Sequence, residues 1–76
     1  MGSKYPILPP EKIIKILKKL GFSEVSQKGS HLKLKKELPK KLIVIIPMHD
    51  EIARRTLKSI LEQANVDLDH FLEFLK

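Results

Sequence analysis

Apolar residues change their spacing twice along this chain, and that change limits the folds it can adopt. Ile13, Ile16, Leu17 and Leu20 recur at i, i+3, i+4 and i+7, the stripe of an amphipathic helix. Further on the period drops to two. Leu32 and Leu34 then alternate with His31, Lys33 and Lys35, as on a strand with one buried face. Beyond Asp50 the helical period returns through Ala53, Leu57, Ile60, Leu61 and Ala64, and again through Leu68, Phe71, Leu72 and Leu75.

Punctuation residues place the element ends. Pro9-Pro10 suits the first turn of a helix, and Gly21 suits its C-terminal cap. Strands are expected at Phe22 to Gln27, Ser30 to Lys36 and Leu42 to Ile46, with Lys28-Gly29 as a tight turn between the first two. Glu37 to Lys41 reads as a charged loop, and Pro47 ends the third strand. Asp50 is expected to cap the second long helix, Asn65 to end it and Asp67 to cap the last one. Val66 and Phe71 are spaced for a hydrophobic staple across that final cap. The fold class is therefore α+β, in the order α-β-β-β-α, with a three-stranded antiparallel sheet and a short C-terminal helix. Residues 1–76 are expected to form a single domain, with 1–9 as an extended leader.

Size narrows the function classes. A domain of 76 residues buries only about 60–65% of its unfolded surface, which leaves no room for a deep cofactor pocket. Cysteine is absent, which excludes disulfides and a zinc knuckle and suits a cytoplasmic setting. No apolar run is long enough for a membrane span. Met1-Gly2-Ser3 resembles the start of a myristoylation signal, but Pro6 stands where serine or threonine belongs.

The formal charge of +6 is unevenly spread: +3 over residues 1–27, +5 over 28–41 and −2 over 42–76. A concentrated cationic segment attracts polyanions and makes binding salt-sensitive, although a solvated lysine-rich surface gives the same composition. His31 lies inside that segment, on the same strand face as Lys33 and Lys35. Neutral imidazole can accept the proton of a ribose 2′-hydroxyl, and imidazolium can protonate a departing 5′-oxygen. Lys28 and Lys33 are placed to stabilise phosphoryl charge, Lys35 is a further candidate phosphate contact, and Ser30 and His49 are candidate catalytic support. The plain alternative for His31 is a surface histidine without a task. Arg54, Arg55 and Lys58, near the start of the second helix, are candidate phosphate contacts or ordinary solvated helix residues. The three histidines lack metal-ligand spacing, so neither a metal nor another cofactor is expected. The scattered aromatics argue against a base-stacking platform.

Four segments together resemble one family. Leu20-Gly21-Phe22, Gln27-Lys28-Gly29-Ser30-His31, Ile46-Pro47-Met48-His49 and Thr56 through Ala64 are similar, in order and spacing, to the HicA toxin family. The resemblance implies a double-stranded-RNA-binding-domain-like fold and an mRNA interferase, an endoribonuclease whose catalytic histidine corresponds to His31. It also implies neutralisation by a HicB-type antitoxin that covers this histidine. Arg55 stands where the family usually has glycine before Thr-Leu, and adds a cation there.

Two other readings fit the residues: a non-catalytic RNA-binding module, and a protein-interaction domain whose basic face meets an acidic partner. Ile43 and Ile45 point to one strand face while Leu42, Val44 and Ile46 point to the other. One set should therefore lie on the sheet face away from the helices. Either a protein partner covers it or the leader, with Tyr5, Ile7 and Leu8, folds over it.

Overall fold

The structure, a computed structural model, describes residues 5–75; the Met1-Gly2-Ser3 segment and the first part of the leader lie outside it. Helix α1 (Pro10–Lys19) is followed by strands β1 (Ser23–Lys28), β2 (His31–Lys36) and β3 (Leu42–Pro47), then by helices α2 (Arg54–Ala64) and α3 (Leu68–Glu73). The strands form one antiparallel sheet in the order β1-β2-β3, so β2 is central. The expected α+β class, the α-β-β-β-α order and the short terminal helix are all present.

Local chemistry sets the helix ends. Proline occupies the first turn of α1, where its missing N–H costs nothing. At the other end Gly21 adopts φ +106°. Its N–H donates to the Lys18 carbonyl at 3.1 Å, and the Phe22 N–H reaches back to Leu17 at 3.0 Å, which together form a Schellman motif. Phe22 is thereby buried just ahead of β1 rather than within it. Asn65, at φ +59°, ends α2 in the same way, with Val66 N–H to Leu61 at 3.0 Å. Asp67 caps α3, its carboxylate accepting from the His70 N–H at 2.8 Å. Removing that acceptor in Asp67→Ala is expected to cost about 1 kcal/mol. Thermal unfolding should then fall by roughly 4–8 °C, more than for Asp69→Ala, which removes only a first-turn charge.

Two expectations need correction. Asp50 does not cap α2, and Ala53 is exposed rather than part of the buried stripe. The helix starts at Arg54 behind Ala53, with no side-chain cap. The cause is a long-range contact. Ile52 is 1% exposed and forms an antiparallel bridge with Leu8, its N–H donating to the Leu8 carbonyl at 2.7 Å. That bridge holds Ile52 extended, so helical dihedrals cannot begin before Arg54.

The second correction concerns the hairpin. Lys28 pairs with His31, so the turn is Gly29-Ser30 rather than Lys28-Gly29, and β2 starts one residue later than expected. Gly29 has φ +54° and Ser30 does not have positive φ, the pattern of a type II′ turn. This turn matches the right-handed strand twist and needs glycine at its first central position.

The core lies between the sheet and the helices. Leu32, Leu34, Val44 and Ile46 meet Ile13, Leu17, Leu57, Ile60 and Phe71, each at most 3% exposed. Tyr5 and Leu8 pack against this core, so the described part of the leader sits there. No described element covers the other sheet face, and Ile43 and Ile45 are 36% and 37% exposed on it.

Candidate nucleic-acid interface

Strand pairing determines which side chains share the open face, because directly opposed residues point the same way. Lys28, His31 and Pro47 form one row, Ser26, Lys33 and Ile45 the next, and Ser23, Lys35 and Ile43 the third. The face therefore carries a central line of one imidazole and two ammonium groups, flanked on β3 by an aliphatic line. Val25, the unpaired residue of the β1 bulge, is also exposed, at 50%.

His31 is exposed and opens β2 beside the turn. Lys28 is its direct cross-strand neighbour, which brings their Cβ atoms to about 5 Å. Lys33 follows two positions along, at roughly 7 Å by strand rise. Ser30 lies in the turn, where its carbonyl accepts the Met48 N–H at 2.6 Å. This bond holds the segment after β3 against the turn and carries exposed His49 to the same end of the sheet. No ion pair or side-chain hydrogen bond fixes the His31 ring among the described residues.

Lys35 stands apart from this group. It lies at the far end of β2, roughly 13 Å from His31 by strand rise, and its ammonium is 2.7 Å from Glu37. That hydrogen bond, reinforced by the Lys35 charge, holds the Glu37 carboxyl below its usual range. Of Lys33 and Lys35, both expected to meet phosphate, the fold brings Lys33 close to His31 and places Lys35 at the far end of β2 in a partly exposed pair with Glu37.

Arg54, Arg55 and Lys58 are all exposed on α2. Gln63, near the end of that helix, accepts the outward N–H of Ile45 at 3.0 Å. A groove joins Ala64 and Asn65 to Leu42. The end of α2 thus lies over the start of β3, and Arg54 lies at the Pro47 end, the end that holds His31. The Leu8–Ile52 bridge draws the start of α1 to the same place. Both helix dipoles present their positive poles there, and neither start has a side-chain cap. Arginine at the first two positions of α2 opposes its dipole, at about 0.3–1 kcal/mol each.

Sequence reasoning missed Gln63, whose amide occupies the outer edge of β3 and is itself bonded to Ser59 at 3.4 Å. It also missed Ile52 as a core residue. No local signal marks either one, since each depends on a partner far away in sequence. No group of three potential metal ligands occurs among the described residues, and none of the described helices is long and apolar enough to cross a membrane.

A family model described as the HicA toxin of bacterial toxin-antitoxin systems matches residues 10–66. No curated protein matches the chain. The matched span runs from the first residue of α1 past the end of α2 and includes the whole sheet. This chain therefore belongs to the HicA toxin family of toxin-antitoxin systems.

Proposed function

We propose that the chain is an endoribonuclease that cleaves mRNA in the cytoplasm, acting as a single domain, with His31 as its catalytic residue. The observation that carries this reading is the row formed by Lys28 and His31, followed by Lys33, on an uncovered sheet face. Neutral His31 takes the proton from a ribose 2′-hydroxyl. The resulting 2′-oxygen attacks phosphorus, the P–O5′ bond breaks, and imidazolium returns the proton to the departing 5′-oxygen. Lys28 and Lys33 neutralise charge growing on the phosphoryl oxygens. Arg54, Arg55 and Lys58 hold neighbouring phosphates, and Ser30 and His49 support the site from the turn and the adjoining loop. Lys35, paired with Glu37, contributes long-range attraction only. The expected products are a 2′,3′-cyclic phosphate and a 5′-hydroxyl.

One observation favours a second reading, a non-catalytic RNA-binding module. Among the described residues the His31 ring has no carboxylate or carbonyl to orient it, as a proton-transferring histidine often has. Incubating a labelled transcript with the natural chain and with His31→Ala separates the two. The ribonuclease reading predicts that both proteins bind and only the natural chain cuts. Binding by both with no cutting by either supports the module.

The partner proposed is a HicB-type antitoxin that buries the open face. Aliphatic Ile43 and Ile45 beside a lysine line suit a surface that offers apolar side chains together with carboxylates. Ile45→Lys places a charge in the centre of that contact and is expected to raise the antitoxin Kd by at least about tenfold. An unchanged Kd in titration calorimetry places the antitoxin elsewhere.

A further inference from the structure

The site described above leaves the lysines of α1 unused. Lys12, Lys15 and Lys19 are exposed along one side of α1. Lys18 is committed to Glu24 at 2.6 Å, whereas these three have no ion-pair partner among the described residues. Lys15 and Lys19 are four apart, a spacing at which like charges destabilise a helix. These lysines, with the single carboxylate of Glu11 among them, form the wall of a groove of about 250 Å³ whose apolar side is Ile16, Phe74 and Leu75, so the wall is cationic by three charges to one. Phe74 packs partly against the core and its ring centroid lies 5.6 Å from that of His70, while its remaining surface lines this groove beside the cations. A basic wall with an accessible aromatic ring suits a nucleotide strand, which supplies phosphates for the lysines and a π-face for the ring. An acidic peptide would use the charges and leave the ring unexplained.

Position ties this groove to the rest of the molecule. α1 begins at the end of the fold that holds His31, because Leu8 is bridged to Ile52 there. Lys12 to Lys19 spans about 10 Å of helix axis, the reach of a few nucleotides. We infer that the Lys12, Lys15 and Lys19 face of α1, with Phe74, is a second binding track for single-stranded RNA extending beyond the His31 site. The inference rests on the RNA reading of the chain but not on catalysis, because it concerns binding alone.

The test uses the full-length chain carrying His31→Ala, so that the probe is not cut. Two unstructured RNAs, of about 20 and about 5 nucleotides, are titrated by fluorescence anisotropy over a salt series. In the triple variant Lys12→Gln, Lys15→Gln, Lys19→Gln the longer RNA should bind at least about tenfold more weakly. Its salt slope should become shallower by about 2, as expected for three phosphate contacts on a single strand. The short RNA should bind as before. Phe74→Leu, which keeps an apolar side chain and removes the aromatic face, should weaken the longer RNA without changing the slope. A Lys36→Gln, Lys40→Gln, Lys41→Gln variant, which also removes three charges, controls for total charge. The inference is overturned if the triple variant, with an unchanged thermal melt, keeps the affinity and slope of its parent, or if the control loses as much. Failure of the ribonuclease reading looks different: the natural chain would bind both RNAs and cut neither.

Discussion

Replacing His31 with alanine is expected to lower RNA cleavage by roughly 10²–10⁴-fold, the range attributed to one positioned acid–base group. Stability should stay within about 0.5 kcal/mol, because the side chain is exposed and away from the core. The two readouts together define the role. A histidine needed for folding would lose both activity and stability, and one that only binds RNA would lose affinity. His31→Gln sharpens the distinction, since an amide still forms hydrogen bonds but cannot carry a proton at neutral pH. Rates as low for glutamine as for alanine identify proton transfer as the lost step. Recovery with glutamine would assign His31 to substrate binding.

The second large effect lies three residues along the same strand, on the opposite face. Leu34 is 0% exposed, on the central strand, and its pairing partner Val44 is equally buried. Leu34→Ala removes methyl groups from a site with little freedom to collapse, at a cost of about 2–5 kcal/mol. Small domains occupy the low end of the usual 5–15 kcal/mol range of total stability. The variant should therefore lose most of its margin, seen as a collapse of the urea midpoint. Lys33→Ala, one residue earlier and on the open face, should change stability by no more than about 0.5 kcal/mol and leave that midpoint nearly in place. Comparable losses from both substitutions would mean that the face assignment of β2 is wrong.

That face assignment was legible in the sequence. The alternation around Leu32 and Leu34 already separates His31, Lys33 and Lys35 from the core, and strand pairing adds the row partners. The stripe of α1, its Gly21 end and the Asp67 cap also follow from local rules, because each depends on dihedral preference or a side-chain acceptor within a few residues. The Asp50 cap fails for the opposite reason. A good capping residue is overruled by Ile52, whose burial against Leu8 cannot be read from neighbouring residues. The turn is a closer case. Gly29-Ser30 carries the type II′ signature, and the one-residue shift makes Lys28 the direct neighbour of His31 rather than a turn residue. Lys35 shows the limit of face patterning: it shares the His31 face, yet Glu37 engages its charge. For the apolar line beside the lysines the sequence offers two covers, a partner or the leader, and in the described part of the leader Tyr5 and Leu8 pack on the core while Ile43 and Ile45 stay exposed.

The central claim is that His31 moves a proton in RNA cleavage on the open sheet face. The most direct measurement is end-group analysis of a labelled transcript incubated in EDTA with the purified natural chain. The account predicts fragments ending in 2′,3′-cyclic phosphate, paired with 5′-hydroxyl ends. Intact RNA under these conditions, or fragments with 5′-phosphate ends that appear only when a divalent metal is restored, would contradict it.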